Sequence, residues 1–169
     1  SDLRSTRQQL HQAQNQARNT FLHELCQGRL TEEQIQKGLA DYRIPLGNNS
    51  ILLLMITYHD TDQSVFQENG SLDFELLLYA SQNVMEELLC TDDCFLATFD
   101  ARLLCFYQPR QDFCAEEEAA LLEKLNQFLD FHHSVLHVNI HLYVSHIGKA
   151  NTDIPELFLE LEELRQYRA

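Results

Sequence analysis

Residues 94–109, CFLATFDARLLCFYQP, predict a β-hairpin around which the rest of the chain is organised. Both arms are rich in Phe, Leu, Tyr and Cys, which favour buried strands, and the sequence Asp100-Ala101-Arg102 between them predicts an exposed turn. This turn has no glycine pair to admit a phosphate and no adjacent carboxylates to hold a metal ion. We therefore interpret the hairpin as a structural element.

The charge of the chain is strongly acidic and unevenly distributed. Its 169 residues are 44% hydrophobic and carry a formal net charge of −14, and this length fits one domain with an extension. Residues 1–49 contain six Lys or Arg against five Asp or Glu, whereas residues 50–169 contain six against twenty-one. Because the acidic part repels a phosphate backbone, we expect it to be a poor nucleic-acid binder by itself.

Apolar runs and cysteines indicate the compartment. The longest clear apolar run, residues 51–56, is far shorter than the roughly 18 to 20 residues that span a bilayer, so we expect a soluble chain with no membrane contact. Five cysteines are an odd number without the density of a disulfide scaffold, which favours the cytoplasm. The chain starts without Met inside a helical pattern, and we expect it to be part of a longer protein.

The first 27 residues predict a helical, coiled-coil-like linker. Residues 3–27 contain no Gly or Pro and are rich in Gln, Ala, Arg and Leu. Leu3, Leu10 and Ala17 fall seven residues apart, with Thr6, Ala13 and either Thr20 or Phe21 completing an imperfect heptad seam. We expect this helix to pair with a second copy of itself and form a homodimer. The alternative is a polar helix that extends alone into solvent.

The remaining pattern predicts alternating strands and helices. After a lead-in over residues 28–49, with a helix at 32–41 capped by Thr31, we expect a strand at 51–58 buried on both faces, a polar loop, and a helix at 71–89 capped by Ser71. The hairpin is followed by a helix at 115–131, a half-buried strand at 138–147 and a last helix from Asp153. The predicted inward side chains of these two helices are Leu121, Leu122, Leu125, Phe128 and Leu129, and Leu157, Phe158, Leu161 and Leu164.

This order predicts an α+β fold over residues 50–169. The core is a βαββαβ unit, a ferredoxin-like arrangement in which four strands form one antiparallel or mixed sheet with helices packed on one face. The long N-terminal helix precedes this unit.

Two segments resemble a known family. Residues 143–168, YVSHIGKANTDIPELFLELEELRQYR, are similar to the closing strand, turn and last helix of the nucleotide-cyclase-like GGDEF domains. Residues 21–60, FLHELCQGRLTEEQIQKGLADYRIPLGNNSILLLMITYHD, resemble the start of the degenerate GGDEF-like middle domain of AraC-type (YesN-like) transcription regulators and response regulators of two-component systems. In that family the domain lies between an upstream receiver or sensor and a C-terminal helix-turn-helix pair.

The resemblance implies that cyclase activity has been lost. An active cyclase needs a Gly-Gly-Asp/Glu-Glu-Phe hairpin, in which glycines approach the substrate and acids hold the metal. The matching positions here are Phe99, Asp100, Ala101 and Arg102; Phe99 would obstruct the phosphate path and Arg102 would repel the cation. The family's metal-binding Asp falls near residues 55–57, and Asp60 and Asp62 lie too far along to replace it. We expect no enzymatic activity, no cofactor and no metal.

A zinc site is an alternative reading of the cysteines and histidines. Cys90 and Cys94 are spaced as C-x3-C, and His132, His133 and His137 follow later in the chain. The chain has no second paired-cysteine motif, and isolated cysteines are commonly small buried hydrophobes. The sequence therefore favours no metal site.

Two functions remain open. The favoured one is a non-catalytic regulatory and dimerisation domain of a cytoplasmic AraC-type regulator, which passes a signal from an upstream domain to a DNA-binding domain outside this chain. The alternative is a sensor of an unknown small ligand, held in the degenerate cleft between the strand at 51–58 and the hairpin.

Overall fold

The computed structural model describes residues 2–59, 67–68, 71–89, 94–109 and 113–168. Within these ranges the helices are α1 (Asp2–Cys26), α2 (Glu32–Asp41), α3 (Phe74–Leu89), α4 (Ala115–Ser134) and α5 (Ile154–Arg168). The strands are β1 (Leu52–Tyr58), β2 (Gln67–Glu68), β3 (Ser71–Leu72), β4 (Cys94–Phe99), β5 (Arg102–Tyr107) and β6 (Ile140–Val144). The predicted α+β class and the long N-terminal helix are confirmed.

Four strands form the main sheet, in the order β4-β5-β1-β6. Every neighbouring pair is antiparallel, and the centre of the sheet is β1, which aligns Leu54 with Cys105 of β5 and Ile56 with Leu142 of β6. Ile51 extends this strand by a single bridge to Gly148. The sheet is therefore built around the apolar run of residues 51–58, as the sequence predicts.

Helices cover both faces of the sheet, so the prediction of helices on one face was wrong. Leu53 and Met55 face a core formed by the end of α1, α2 and α5. Leu54 and Ile56 face a second core formed by α3 and α4. Because β1 is apolar from Leu52 to Ile56, both of its faces carry apolar side chains that must be shielded from water.

The junction of α1 and α2 follows its local sequence. Gly28 adopts a φ of +72°, and the amide of Arg29 donates to the carbonyl of Glu24 at 3.1 Å, which closes the end of α1. Thr31 then caps α2: its hydroxyl accepts from the amide of Gln34 at 3.2 Å, while the Gln34 side chain accepts from the Thr31 amide at 2.9 Å. The predicted bounds of α2 and its cap are confirmed.

The predicted start of α3 was wrong. Ser71 does not cap the helix, because it pairs with Glu68 in the short β2–β3 ladder. Asp73 takes that place, and its carboxylate accepts from the amide of Leu76 at 3.2 Å. Of the predicted polar loop, residues 60–66 and 69–70 lie outside the described ranges.

Some inward positions were also predicted wrongly. Leu122 and Leu164 are 47% and 41% exposed, whereas their neighbours Leu121 and Leu161 are buried. The last strand is shorter than predicted, and Tyr143, placed by alternation on its polar face, is buried beneath α5. Alternation separates the two faces of a strand, but it cannot identify the buried one when helices cover both.

Candidate functional site at the hairpin turn

The hairpin turn has two residues in left-handed conformation. Asp100 and Ala101 have φ values of 55° and 57°, the pattern of a tight type I′ turn, in which glycine or asparagine is usual. Arg102 is therefore the first residue of β5 rather than part of the turn, and it pairs with Phe99. The side chain of Phe99 lies outside the described parts of the structure.

The Arg102 side chain bridges the hairpin to α5. Its Nη1 donates to Oε1 of Glu162 and also approaches Sδ of Met55 at 3.8 Å. Arg165 Nη2 donates to the other oxygen of Glu162 at 2.9 Å. Burial acts to raise the pKa of Glu162, but the hydrogen bonds and charges of Arg165 and Arg102 outweigh it and lower that pKa. Arg102, which the resemblance matches to an acid of active cyclases, is thus a paired guanidinium in the structure.

A cavity of about 340 Å³ lies beside Arg102, between the end of β1 and the hairpin turn. This tip cavity is lined by Thr57, Tyr58, His59, Phe74, Asp100, Ala101, Arg102, His141, Tyr143 and Arg165. The His59 and His141 rings meet edge to face with centroids 4.1 Å apart, and Tyr58 and Phe74 do so at 6.1 Å. The cavity lies where the alternative hypothesis places a ligand cleft.

A second cavity of about 530 Å³ lies on the other side of the hairpin turn. It shares Asp100 and Arg102 with the tip cavity and also contacts Cys26 and Gln27 at the end of α1. Asp100 Oδ2 is 3.8 Å from Nε2 of His23 on α1. The turn is therefore in contact with both the tip cavity and the base of the N-terminal helix.

The predicted dimer seam is exposed, and its residues line neither of these two cavities. Leu3 and Leu10 are 70% and 60% exposed, and Ala17 is also exposed. The Thr6 hydroxyl, on the same stripe, donates to the carbonyl of Asp2 at 2.8 Å, so its polar group is already satisfied within the helix. Phe21, which the sequence allowed in the seam, is instead buried in the core.

A buried polar pair between α3 and α4 was missed by the sequence analysis. Ser81 and His132 are both fully buried, with Ser81 Oγ 2.7 Å from His132 Nε2. His132 Nδ1 lies 2.8 Å from the carbonyl of Phe128, which can only accept, so Nδ1 carries the proton and Nε2 accepts from Ser81. Burial lowers the pKa of His132, partly opposed by the bond to Phe128. The burial of His132 could have been predicted from its spacing, since it continues the inner stripe of Leu125 and Phe128.

Tyr58 extends this polar region towards the tip cavity. Burial raises its pKa to about 12, and the nearby Ser81 hydroxyl partly offsets that rise. Its own hydroxyl makes no hydrogen bond of normal geometry within the described ranges. Because Ser81 and His132 have no solvent access, this cluster does not form a nucleophilic site.

The candidate metal ligands do not converge in the described structure. No three His, Cys, Asp or Glu side chains lie close enough there to hold a metal ion. Cys90, Asp60 and Asp62 fall outside the described ranges, and Met55, where the resemblance places a metal-binding acid, is buried. The absence of a metal stays a prediction.

Comparison of the chain with family models, curated proteins and solved structures gave no match. Among the described residues, no helix has the length and apolar character needed to cross a bilayer.

Proposed function

We propose that this chain is a non-catalytic regulatory and dimerisation domain of a cytoplasmic, AraC-type transcription regulator. Residues 1–27 act as the coiled-coil-like linker, residues 28–49 lead in, and residues 50–169 form a ferredoxin-like, degenerate GGDEF-like unit. DNA is bound only through a domain outside this chain. The antiparallel strand order and the resemblance of residues 21–60 and 143–168 to that family support this assignment.

The exposed stripe of α1 carries the proposal. Residues 2–14 are all exposed, and the buried positions of this 25-residue helix begin only at Phe21. Helices in proteins gain most of their stability by packing an apolar stripe against a partner. Leu3 and Leu10, at 70% and 60% exposure, can each gain about 1 to 2 kcal/mol on full burial against a second copy.

The non-catalytic part of the proposal is supported by the pairing of Arg102. The resemblance to GGDEF domains matches Arg102 to a metal-binding acid, and its guanidinium is held by Glu162. A metal ion bound beside Glu162 would meet the like charges of the Arg102 and Arg165 guanidiniums.

The test is the association state of the chain with and without the seam. We expect a weak monomer–dimer equilibrium in sedimentation, shifted to monomer by Leu10→Lys and by deletion of residues 1–19. Gln8→Lys adds the same charge on the opposite face of α1 and should leave the dimer intact. If the dimer persists after the deletion, its interface lies on the globular body and the α1 seam proposal fails.

A second candidate function is the sensing of a small ligand, and the tip cavity is the observation that favours it. At about 340 Å³ its volume falls at the small end of the range for ligand pockets, about 300 to 1,000 Å³. The two functions are compatible, because the hairpin turn that borders this cavity also approaches α1 through Asp100 and His23.

A further inference from the structure

We propose that the tip cavity binds a small planar aromatic carboxylate. This inference rests on the second candidate function and names the chemical class of its ligand. It is argued from the guanidinium donors, the rings and the charge balance of the residues that line the cavity.

The guanidinium donors of the cavity are only partly used. Arg102 and Arg165 both line the cavity, and their side chains are 22% and 35% exposed. A guanidinium has five N–H donors, and Glu162 accepts one from Arg165 and one from Arg102. A carboxylate in the cavity would supply acceptors in the planar geometry that guanidinium groups match.

Ring side chains form much of the remaining wall. They are Tyr58, His59, Phe74, His141 and Tyr143. The edge-to-face contacts of His59 with His141 and of Tyr58 with Phe74 leave ring faces and edges around a narrow space. Aromatic ligands gain both buried area and favourable ring contacts in such surroundings. This wall favours a ring on the anion over a bare inorganic ion.

The local charge favours a single negative charge on the ligand. Arg102 and Arg165 are balanced by Glu162 and Asp100, so the site has free N–H donors without a large net positive charge. A dianionic phosphate would add two negative charges to a site in which two carboxylates already match the two guanidiniums. A monocarboxylate satisfies the donors with the least repulsion. With about 340 Å³ available, the cavity suits a ligand of one ring or two fused rings.

The test is a titration of the whole chain by calorimetry and NMR with benzoate, phenylacetate and indole-3-carboxylate. Benzamide, which keeps the ring and loses the charge, and acetate, which keeps the charge and loses the ring, are the matched probes. We expect at least one ring-bearing carboxylate to bind tenfold or more tightly than either matched probe.

Two variants and a control locate the site. Arg165→Gln should weaken that binding at least tenfold, equivalent to about 1.4 kcal/mol. Phe74→Leu leaves the Glu162 pairs intact and should weaken it severalfold. Arg29→Gln, an exposed arginine at the junction of α1 and α2, should leave it unchanged.

Two results would overturn the proposal. If benzamide binds as well as benzoate and Arg165→Gln has no effect, the cavity is a ligand site of another class, and the second candidate function survives. If none of the three carboxylates binds, the site for this class is rejected. Dimerisation through α1 is measured without any probe, so it stands or falls separately.

Discussion

Gly38 allows the sharpest test of how α1 is attached to the body. A Cβ built at Gly38 of α2 would lie 2.0 Å from Cε2, 2.4 Å from Cζ and 2.6 Å from Cδ2 of Phe21. Phe21 is only 8% exposed, and its ring also contacts Tyr42 at a centroid distance of 5.4 Å. The ring therefore cannot turn into solvent to make room without losing its contacts.

Two effects of Gly38→Ala oppose each other. Alanine is favoured over glycine inside a helix by about 1 kcal/mol. Overpacking of a filled core costs about 1 to 3 kcal/mol. Because three ring carbons would lie closer than 3.0 Å to the new Cβ, we expect a cost towards the upper end of that range. We expect Gly38→Ala to lower the free energy of unfolding by about 1 to 2 kcal/mol.

The assay is urea unfolding followed by circular dichroism, since the chain has no Trp. The urea concentration at the midpoint of unfolding should fall, while the dependence of the unfolding free energy on urea concentration should stay the same. Lys37→Ala, at the exposed neighbouring position of α2, should change the free energy by less than about 0.5 kcal/mol. In a Phe21→Leu background the clash is reduced, so Gly38→Ala should become neutral or stabilising. Equal destabilisation in both backgrounds would refute the reasoning.

The polar clusters give two further predictions. Ser81→Ala should lower the free energy of unfolding by about 1 to 3 kcal/mol, because the buried Nε2 of His132 loses its donor, while the exposed Ser134→Ala at the end of α4 should have little effect. The pKa of His132 in the folded chain is lowered from 6.5, so on acidification the unfolded chain takes up the proton first. The free energy of unfolding should therefore fall as the pH drops below about 6.5. His132→Gln should weaken this dependence on pH, measured by denaturant titrations at several pH values. The lowered pKa of Glu162 stabilises the fold above about 4.5, so Glu162→Gln should be less stable at pH 7, with the difference shrinking as pH falls below 4.5; a difference that stays constant with pH would contradict the ion-pair explanation.

Local signals in the sequence predict the elements well. The Thr31 cap and the turn chemistry after residue 41 mark both ends of α2, and the apolar run of residues 51–58 marks the central strand. The same run, apolar at every position from 51 to 56, indicated that both faces of the strand are buried. The prediction of helices on one face was inconsistent with a strand buried on both faces. It came from the order of strands and helices, which alone does not assign helices to the faces of a sheet.

The contacts that define the candidate site depend on tertiary packing. Arg102 and Glu162 are 60 positions apart, and Ser81 and His132 are 51 apart. Each partner lies on a different element, and no local pattern records which elements will meet. The turn itself was predicted, but its partner on α5 and the tip cavity depend on how α5 packs beside β1.

The buried residues of α1 all lie near its C-terminal end, so a small tilt there moves the N-terminal end by a larger distance. Residues 2–20 precede the first buried position of the helix and, at 1.5 Å per residue, extend about 28 Å from it. A tilt of about 5° at Phe21 would move Leu3 sideways by about 2.5 Å over that length. Paired helices pack with their axes about 8 to 10 Å apart, so such a displacement is roughly a quarter of the spacing between two partners. A small rearrangement around Phe21, Tyr42 and Gly38 would thus be amplified at the far end of the helix.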